Sequence, residues 1–314
     1  MKAWMFDGIA APLRADEIDR PTPGPGEVLI KVKAAGLCHS DVGYMEGQIP
    51  ARLSFPYVLG HEASGVIASL GRDVVGWSAG DRVVASISID DCPGVTRDGA
   101  YAEYFVASAS SLVRIPEGMS WEQAAAATDA GLVSYTGVVV FGETSSSDRV
   151  AIVGLGGLGM TGAQIALATG ATVIGVEPRE VMWDRARQVG VQELYADVAE
   201  LEGRDLDVVV DFAGFGSTTT GAIRAVKRQG RVVLVGVGRS EFTFNSIDLV
   251  SRAIELRGAT VLGNKSHLEE VLELMGAGKV SVQTETIDFA AIPDGLERLK
   301  NGTVSGRLVA RFAD

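Results

Sequence analysis
The sequence predicts an α/β fold in two unlike parts, a β-rich part and a doubly wound parallel sheet. Three observations point there. Residues 1 to about 115 hold short strand-like runs broken by Gly, Pro and Asp. From Asp148 onward, apolar runs of strand length alternate with helical stretches. The tail from about Val280 has strand ends but no place in that alternation.

In chain order, the turn-rich "PTPGPG" introduces "GEVLIKVKAAGLC", which alternates as a half-buried strand does. "ASGVIASLG", "DRVVASISI" and "AYAEYFVASASSLVRI" are further short strands between turn residues. "SWEQAAAATDAGLVSYTGVVVFGE" then turns helical, with Ser120 as N-cap and Glu122 and Gln123 in the first turn. The second part reads "RVAIVG", "GLGMTGAQIALATG", "ATVIGVE", "REVMWDRARQVG", "LDVVVDFAG", "STTTGAIRAVKRQG" and "RVVLVGVG" as strands and helices in turn. Short buried strands alternating with helices form a parallel sheet covered on both faces. The predicted boundaries are 1–128 for the first domain, 129–270 for the second, and 271–314 for a return to the first.

Composition excludes several classes. With 28 Lys and Arg against 40 Asp and Glu, the formal charge is −12, which repels nucleic acid and anionic membrane. No apolar run is expected to reach the roughly 18 residues of a membrane helix. The opening "MKAWMFDGIA" lacks the apolar stretch of a secretory signal, and two cysteines build no disulfide framework. A cytoplasmic protein is expected.

"RVAIVGLGGLGMTGAQIALATGATVIGVE" contains Gly154-x-Gly156-x-x-Gly159. Glycine spacing alone is a weak signal in a chain with 39 glycines. Here it follows an apolar strand, opens a helix and precedes a strand that ends in an acid, the context of a dinucleotide site. Gly154 permits the tight turn, Gly156 lets backbone approach a pyrophosphate, and Gly159 lets helix and strand pack closely. Gly157 and Leu158 lie in the same turn, at a helix N-terminus that faces the anion. Glu177, 23 residues beyond Gly154, is placed to accept the adenosine ribose hydroxyls, which favours NAD over NADP. Arg179 could soften that preference.

The stretch "AAGLCHSDVGYMEG" sets Cys38 against His39, ahead of Ser40 and Asp41, in a chain with two cysteines and three histidines. His61 follows in "LGHEASGV" and Asp129 in "AAAATDAGLVSY". A zinc site needs such ligands to converge from separate segments, but spacing alone does not join them. Cys38 could be a buried thiol, His61 a core histidine, Asp129 a solvated or capping residue, and His39, Ser40 and Asp41 loop residues. His267 reads as a helix-face residue.

These residues resemble the medium-chain dehydrogenase/reductase superfamily, in particular its zinc-dependent alcohol dehydrogenase branch. The likeness runs through "GEVLIKVKAAGLCHSD", "GHEASGVIASLGRDV", "GDRVV", "GAYAEY", "GLGGLG" and "SGRLV". It implies a GroES-like β-rich catalytic domain joined to a Rossmann domain, with one catalytic Zn2+ per chain and NAD. Under it, Cys38, His61 and Asp129 match the metal ligands, and Glu62 matches a neighbouring acid able to become an occasional fourth. Asp41 matches the carboxylate that orients the ligand histidine, and Ser40 the hydroxyl that accepts the substrate proton. His39 and Arg307 match contacts to the cofactor pyrophosphate, while Gly236 and Val237 match the segment along the nicotinamide. The implied reaction is reversible hydride transfer between an alcohol and NAD, with an aldehyde or ketone as the other partner. A homodimer or homotetramer is implied, pairing through a sheet edge for which "IELRGATVLG" is the strand.

Two departures stand out. Many members bind a second, structural zinc through four close cysteines after "GDRVV", where this chain has only Cys92, read as an unpaired thiol. Some members carry a proton-passing histidine five residues after the ligand cysteine, where this chain has Gly43. A relay would then run from Ser40 through ribose and water, with Tyr44 as an assistant. Tyr44, Met45, Phe55, Tyr57 and Trp77 suggest an apolar or aromatic substrate, though Trp77 could be core. Two rival readings are a zinc-free reductase of activated C=C bonds and a non-catalytic NAD-binding module.

Overall fold
A computed structural model describes residues 1–312. Its contacts divide the chain into two units. One comprises Met1–Asp129, Val261–Gly276 and the segment from Val282; the other comprises Ala130–Thr260 and Ala277–Ser281. The return to the first unit therefore begins at Val261 rather than at residue 271, because the helix Lys265–Gly276 packs there, against the strand Leu112–Arg114.

The first unit is built on strands β1 (Lys2–Phe6), β2 (Arg14–Glu17), β3 (Glu27–Gly36), β4 (Tyr57–Val58), β5 (Glu62–Leu70), β6 (Arg82–Ala85), β7 (Tyr104–Ser108) and β8 (Leu112–Arg114). The order β2–β1–β4 forms a small antiparallel sheet. The larger sheet takes two strands from the tail, to be called β15 (Thr284–Asp288) and β16 (Arg307–Arg311), in the order β15–β16–β3–β5–β6–β8, with β7 also on β3. Along β3, Val28, Ile30 and Val32 are buried while Glu27, Lys31 and Lys33 are half-exposed, but the expected alternation is broken by Leu29 and Ala34–Gly36, which are buried as well. Fully burying each such side chain contributes about 1.5–3 kcal/mol.

Register decides where the chemistry falls. Gly36, at the end of β3, pairs with Glu62, the first residue of β5, and on its other side with Val309 of β16. One end of the sheet thus gathers the segment leading to Cys38, the pair His61–Glu62, and Arg307.

The second unit holds a parallel sheet of β9 (Arg149–Val153), β10 (Thr172–Val176), β11 (Glu193–Tyr195), β12 (Leu206–Asp211), β13 (Val226–Leu234) and β14 (Glu255–Gly258). Their order is β11–β10–β9–β12–β13–β14. Val150–Val153 and Val208–Val210 are buried without alternation, as a sheet covered on both faces requires.

Three expectations need correction. The stretch "STTTGAIRAVKRQG" is not helical throughout: the helix Ser217–Ala225 gives way to β13 at Val226. A shift of register against β12, with Gln229 at φ +61°, absorbs the change. No strand was expected at Glu193–Tyr195, which forms the short edge strand β11. Finally, the 21-residue helix Trp121–Phe141, with an 18-residue window of mean hydropathy 1.4, does meet the length and composition of a membrane span. It is a core helix: 78% of its apolar window is buried, Ser120 caps it by accepting from Gln123 N, and it carries Glu122 and Asp129.

Candidate active site
At the sheet end just described, Cys38, His61, Glu62 and Asp129 are all buried, and each offers one ligand atom within 4.8 Å of the others. Cys38 follows β3 at the start of the helix His39–Met45, His61 precedes β5, and Asp129 lies in the helix Trp121–Phe141. Glu62 lies over Gly36, where a Cβ would come within 2.2 Å of its Oε2. Glycine is the only residue that leaves this carboxylate its place. Thiolate, imidazole and carboxylate are the donors zinc accepts. Both Glu62 oxygens are buried without a hydrogen-bond partner among the described residues. Such groups are costly unless an ion or proton satisfies them, so the donor set fits a resident cation.

A second layer holds the ligands in place. Asp41 is fully buried, and its Oδ2 accepts from the Tyr101 hydroxyl at 2.7 Å and from Cys38 N at 3.0 Å. Its Oδ1 approaches His61 Nδ1 at 3.3 Å, close to hydrogen-bond length but out of line for one. The Tyr101 ring fits because Gly60, at φ +96°, has no Cβ; one would lie 2.5 Å from the ring. Sequence reasoning assigned Tyr101 no role, although "GAYAEY" places it inside a shared motif. Ser40 is half-buried, with its Oγ 3.6 Å from the Cys38 sulfur. A Cβ at Gly43 would meet the Ile49 side chain at 2.9 Å, so a histidine there, as in some relatives, would require Ile49 to move.

Arg307, expected at the cofactor pyrophosphate, is buried at 5% exposure with its guanidinium directed to the metal-ligand cluster. Nη2 donates to Asp129 Oδ2 at 3.0 Å and Nη1 to the Leu37 carbonyl at 3.2 Å, while Nη1 also lies 3.2 Å from Glu62 Oε1. No sequence spacing signals this, because it depends on β16 lying beside β3. His39 is exposed by area, and its Nε2 lies 3.1 Å from the Leu299 carbonyl. Desolvation of the ring, together with the charge of Arg307, pushes its pKa down.

The buried acids separate electrostatically. Burial pushes Glu62 up to about 8, against the pull of Arg307. Burial would also raise Asp129, but Arg307 and then His61 outweigh it and hold that carboxyl below its usual range. Burial opposes protonation of His61, yet the Asp41 carboxylate overrides it and sets the imidazole well above its ordinary value.

In the second unit the glycine turn is as expected. Gly154 sits at φ +84°, and a Cβ at Gly159 would fall 1.8 Å from the Gly154 carbonyl oxygen. At Gly156 a Cβ would meet nothing within 4 Å, so open space lies before the helix Gly157–Ala168, which fits an approaching pyrophosphate. The Leu158 carbonyl accepts from Ser134 Oγ. Gly236 packs against the end of β12, where a Cβ would lie 2.3 Å from the Phe212 carbonyl oxygen, and Val237 is exposed. Glu177 is more engaged than expected. Oε2 accepts from Leu155 N and Arg179 Nη2, and Oε1 from Arg179 N and Nε. A carboxylate offers about four lone-pair sites, so ribose hydroxyls can enter only as Arg179 withdraws.

Of the aromatic residues, Tyr44 and Tyr57 are buried, and Phe55 stacks on Tyr57 with ring centroids 5.7 Å apart. Trp77 does not belong with them: its indole donates to the Ala109 carbonyl and its face carries Arg114. Cys92 is an unpaired buried thiol that burial pushes up to about 11.

A metal-ligand cluster on a β-rich unit and a glycine turn on a parallel sheet define a class, the metal- and dinucleotide-dependent oxidoreductases. Comparison with known proteins narrows it. The alcohol dehydrogenase GroES-like domain matches residues 24–117, and the zinc-binding dehydrogenase domain matches residues 157–277. An alcohol dehydrogenase of Geobacillus stearothermophilus is 32% identical, covering 99% of both chains. An NAD-dependent alcohol dehydrogenase of Sulfurisphaera tokodaii is 30% identical over 98% of this chain and 99% of its own. The solved structure of acetophenone reductase from Geotrichum candidum in complex with NAD matches with a TM-score of 0.90 at 29% identity, covering 99% of this chain and 97% of that one. The chain belongs to the zinc-dependent alcohol dehydrogenase branch of the medium-chain dehydrogenase/reductase superfamily.

Proposed function
We propose that this chain interconverts an alcohol bearing an apolar or aromatic group and the matching aldehyde or ketone, with NAD as hydride partner. The convergence of Cys38, His61, Glu62 and Asp129 within 4.8 Å carries the reading. Zinc-free reductases of the superfamily generally lack this ligand set, and a non-catalytic module has no use for it.

Cys38, His61 and Asp129 would hold the zinc, with Glu62 in reach. When bound, zinc supplies Lewis acidity, lowering the pKa of an alcohol hydroxyl and polarising a carbonyl. Asp41, fixed by Tyr101 and Cys38 N, orients the His61 ring from its far side. Ser40 accepts the substrate proton and passes it to water, since Ile49 occupies the space a side chain at position 43 would need. The turn Gly154–Gly159 and the helix it opens would hold the pyrophosphate, Glu177 the ribose once Arg179 withdraws, and Gly236–Val237 would lie along the nicotinamide.

Tyr44, Met45, Phe55 and Tyr57 support an apolar or aromatic substrate, as does the name of the acetophenone reductase for that relative. A homodimer or homotetramer is favoured by β14, the last strand of the parallel sheet, which has one unpaired edge. A reducing, cytoplasmic setting suits Cys38, whose thiol must stay unoxidised to bind metal.

Elemental mass spectrometry of wild type and Asp129→Ala, beside NADH formation from alcohols, tests the reading. One zinc per wild-type chain, falling in the variant together with activity, is expected. A zinc-free wild type that instead reduces activated C=C bonds would overturn it.

A further inference from the structure
Of the charged groups around the ligand cluster, Arg307 is the one whose presence is unexplained by holding metal or substrate. It is almost wholly buried, and it donates to Asp129, itself read as a metal ligand, at 3.0 Å. We infer that Arg307 is a positioning residue for the metal centre: its guanidinium fixes the Asp129 carboxylate by one oxygen and keeps the ligand cluster assembled before metal arrives.

Three observations carry this. First, the guanidinium is anchored independently, by the Leu37 carbonyl at 3.2 Å, one residue before the ligand Cys38. It therefore ties the segment carrying one ligand to the side chain of another. Second, Asp129 has few other holds: His61 Nε2 is 3.9 Å from the same oxygen, beyond hydrogen-bond length. Third, Glu62 Oε1 lies 3.2 Å from Arg307 but is out of line for a hydrogen bond, so the directed bonds of the arginine go to Asp129 and Leu37. Without the arginine, the buried Asp129 carboxylate would lose the guanidinium that donates to it, and a buried charge stripped of its partner is an arrangement proteins tolerate poorly. A lysine would keep the charge but lose the fork that reaches Asp129 and Leu37 together.

The inference rests on the zinc dehydrogenase reading, and the experiment separates the two. Zinc affinity is measured by competition with a chromophoric chelator on wild type, Arg307→Lys and Arg307→Ala. The visible absorption of the cobalt-substituted proteins and the melting temperature of the metal-free proteins are recorded alongside. Outer partners of ligand side chains typically change metal affinity by about 10–100-fold, and a loss of that size is expected for Arg307→Lys although its charge is kept. Altered cobalt ligand-field bands should accompany it. Metal-free Arg307→Ala should melt well below metal-free wild type, and millimolar guanidinium ion should restore part of its metal affinity. If Arg307→Lys binds zinc and cobalt as wild type does, with an identical spectrum, the positioning role is refuted. Failure of the underlying reading looks different: wild type itself would hold no zinc.

Discussion

Gly156 and Gly159 lie three residues apart in one turn, yet the structure predicts opposite consequences for the same added methyl. At Gly159 the new Cβ would stand 1.8 Å from the Gly154 carbonyl oxygen, where contacts below 3.0 Å are essentially never seen. The helix Gly157–Ala168 would have to move away from β9 by about 1.2 Å or more, the difference between those distances. Overpacking costs about 1–3 kcal/mol, and because the obstacle is backbone rather than a flexible side chain, the upper end applies. At Gly156 the backbone sits at φ −73°, ψ −160°, which any residue adopts, and the methyl meets nothing within 4 Å. Gly156→Ala should therefore leave stability unchanged or raise it by about 0.4–1 kcal/mol through the unfolded state. It should also weaken NAD binding by about tenfold or more, some 1.4 kcal/mol, because the methyl fills space the pyrophosphate needs. Urea unfolding gives the first quantity and calorimetric NAD titration the second. Since a chain of two units need not unfold in one step, the first transition is the one to compare. Unchanged NAD affinity in Gly156→Ala would refute the pyrophosphate assignment. Unchanged stability in Gly159→Ala would refute the close packing.

Other consequences can be checked alongside. Asp41→Asn should lower zinc affinity by about 10–100-fold, read by chelator competition, while the Tyr101 hydroxyl keeps an acceptor. Arg179→Ala should free Glu177 for ribose, so KM for NAD should fall and the preference over NADP should widen in steady-state kinetics. Cys92 should resist alkylation by iodoacetamide at neutral pH in the folded protein, since burial pushes its thiol up to about 11, and should react once urea exposes it. Burial acts to raise the Glu177 pKa, but Arg179 and Leu155 N hold it below the usual value. The folded state thus binds fewer protons there than the unfolded chain, whose carboxyl titrates near about 4.3. The stabilisation is complete above that pH and lost as pH falls through the lowered native value, so Glu177→Gln should flatten the acid limb of a stability titration.

Much of this was legible in the sequence because the signals were local. The strand–helix alternation after Asp148 and the turn Gly154–Gly159 follow from neighbours in the chain, and the structure has both. Cys38, His61 and Asp129 are separated by 23 and 68 residues; only resemblance could join them, and the structure places them together. The contacts of Arg307 with the ligand cluster were not legible because they depend on β16 lying beside β3, a pairing across some 270 residues that leaves no periodic trace. The overrun at "AVKRQG" has a different cause. Ala225 ends a good helical run, and the turn of chain direction is taken up by Gln229 in a left-handed conformation, which glutamine does not advertise. The helix Trp121–Phe141 escaped notice as a long apolar span because Glu122 and Asp129 interrupt it in the one-dimensional reading.

The short turn around Cys92 carries a consequence for how the enzyme lives with its metal. Where relatives fold a lobe around a second zinc, this chain closes the gap with ordinary polar bonds: Cys92 N to Thr96 Oγ1, Arg97 to Glu27 and Asp91, and Val58 N to Asp98. None of these depends on an ion. Zinc scarcity can therefore silence the chemistry without dismantling this part of the fold.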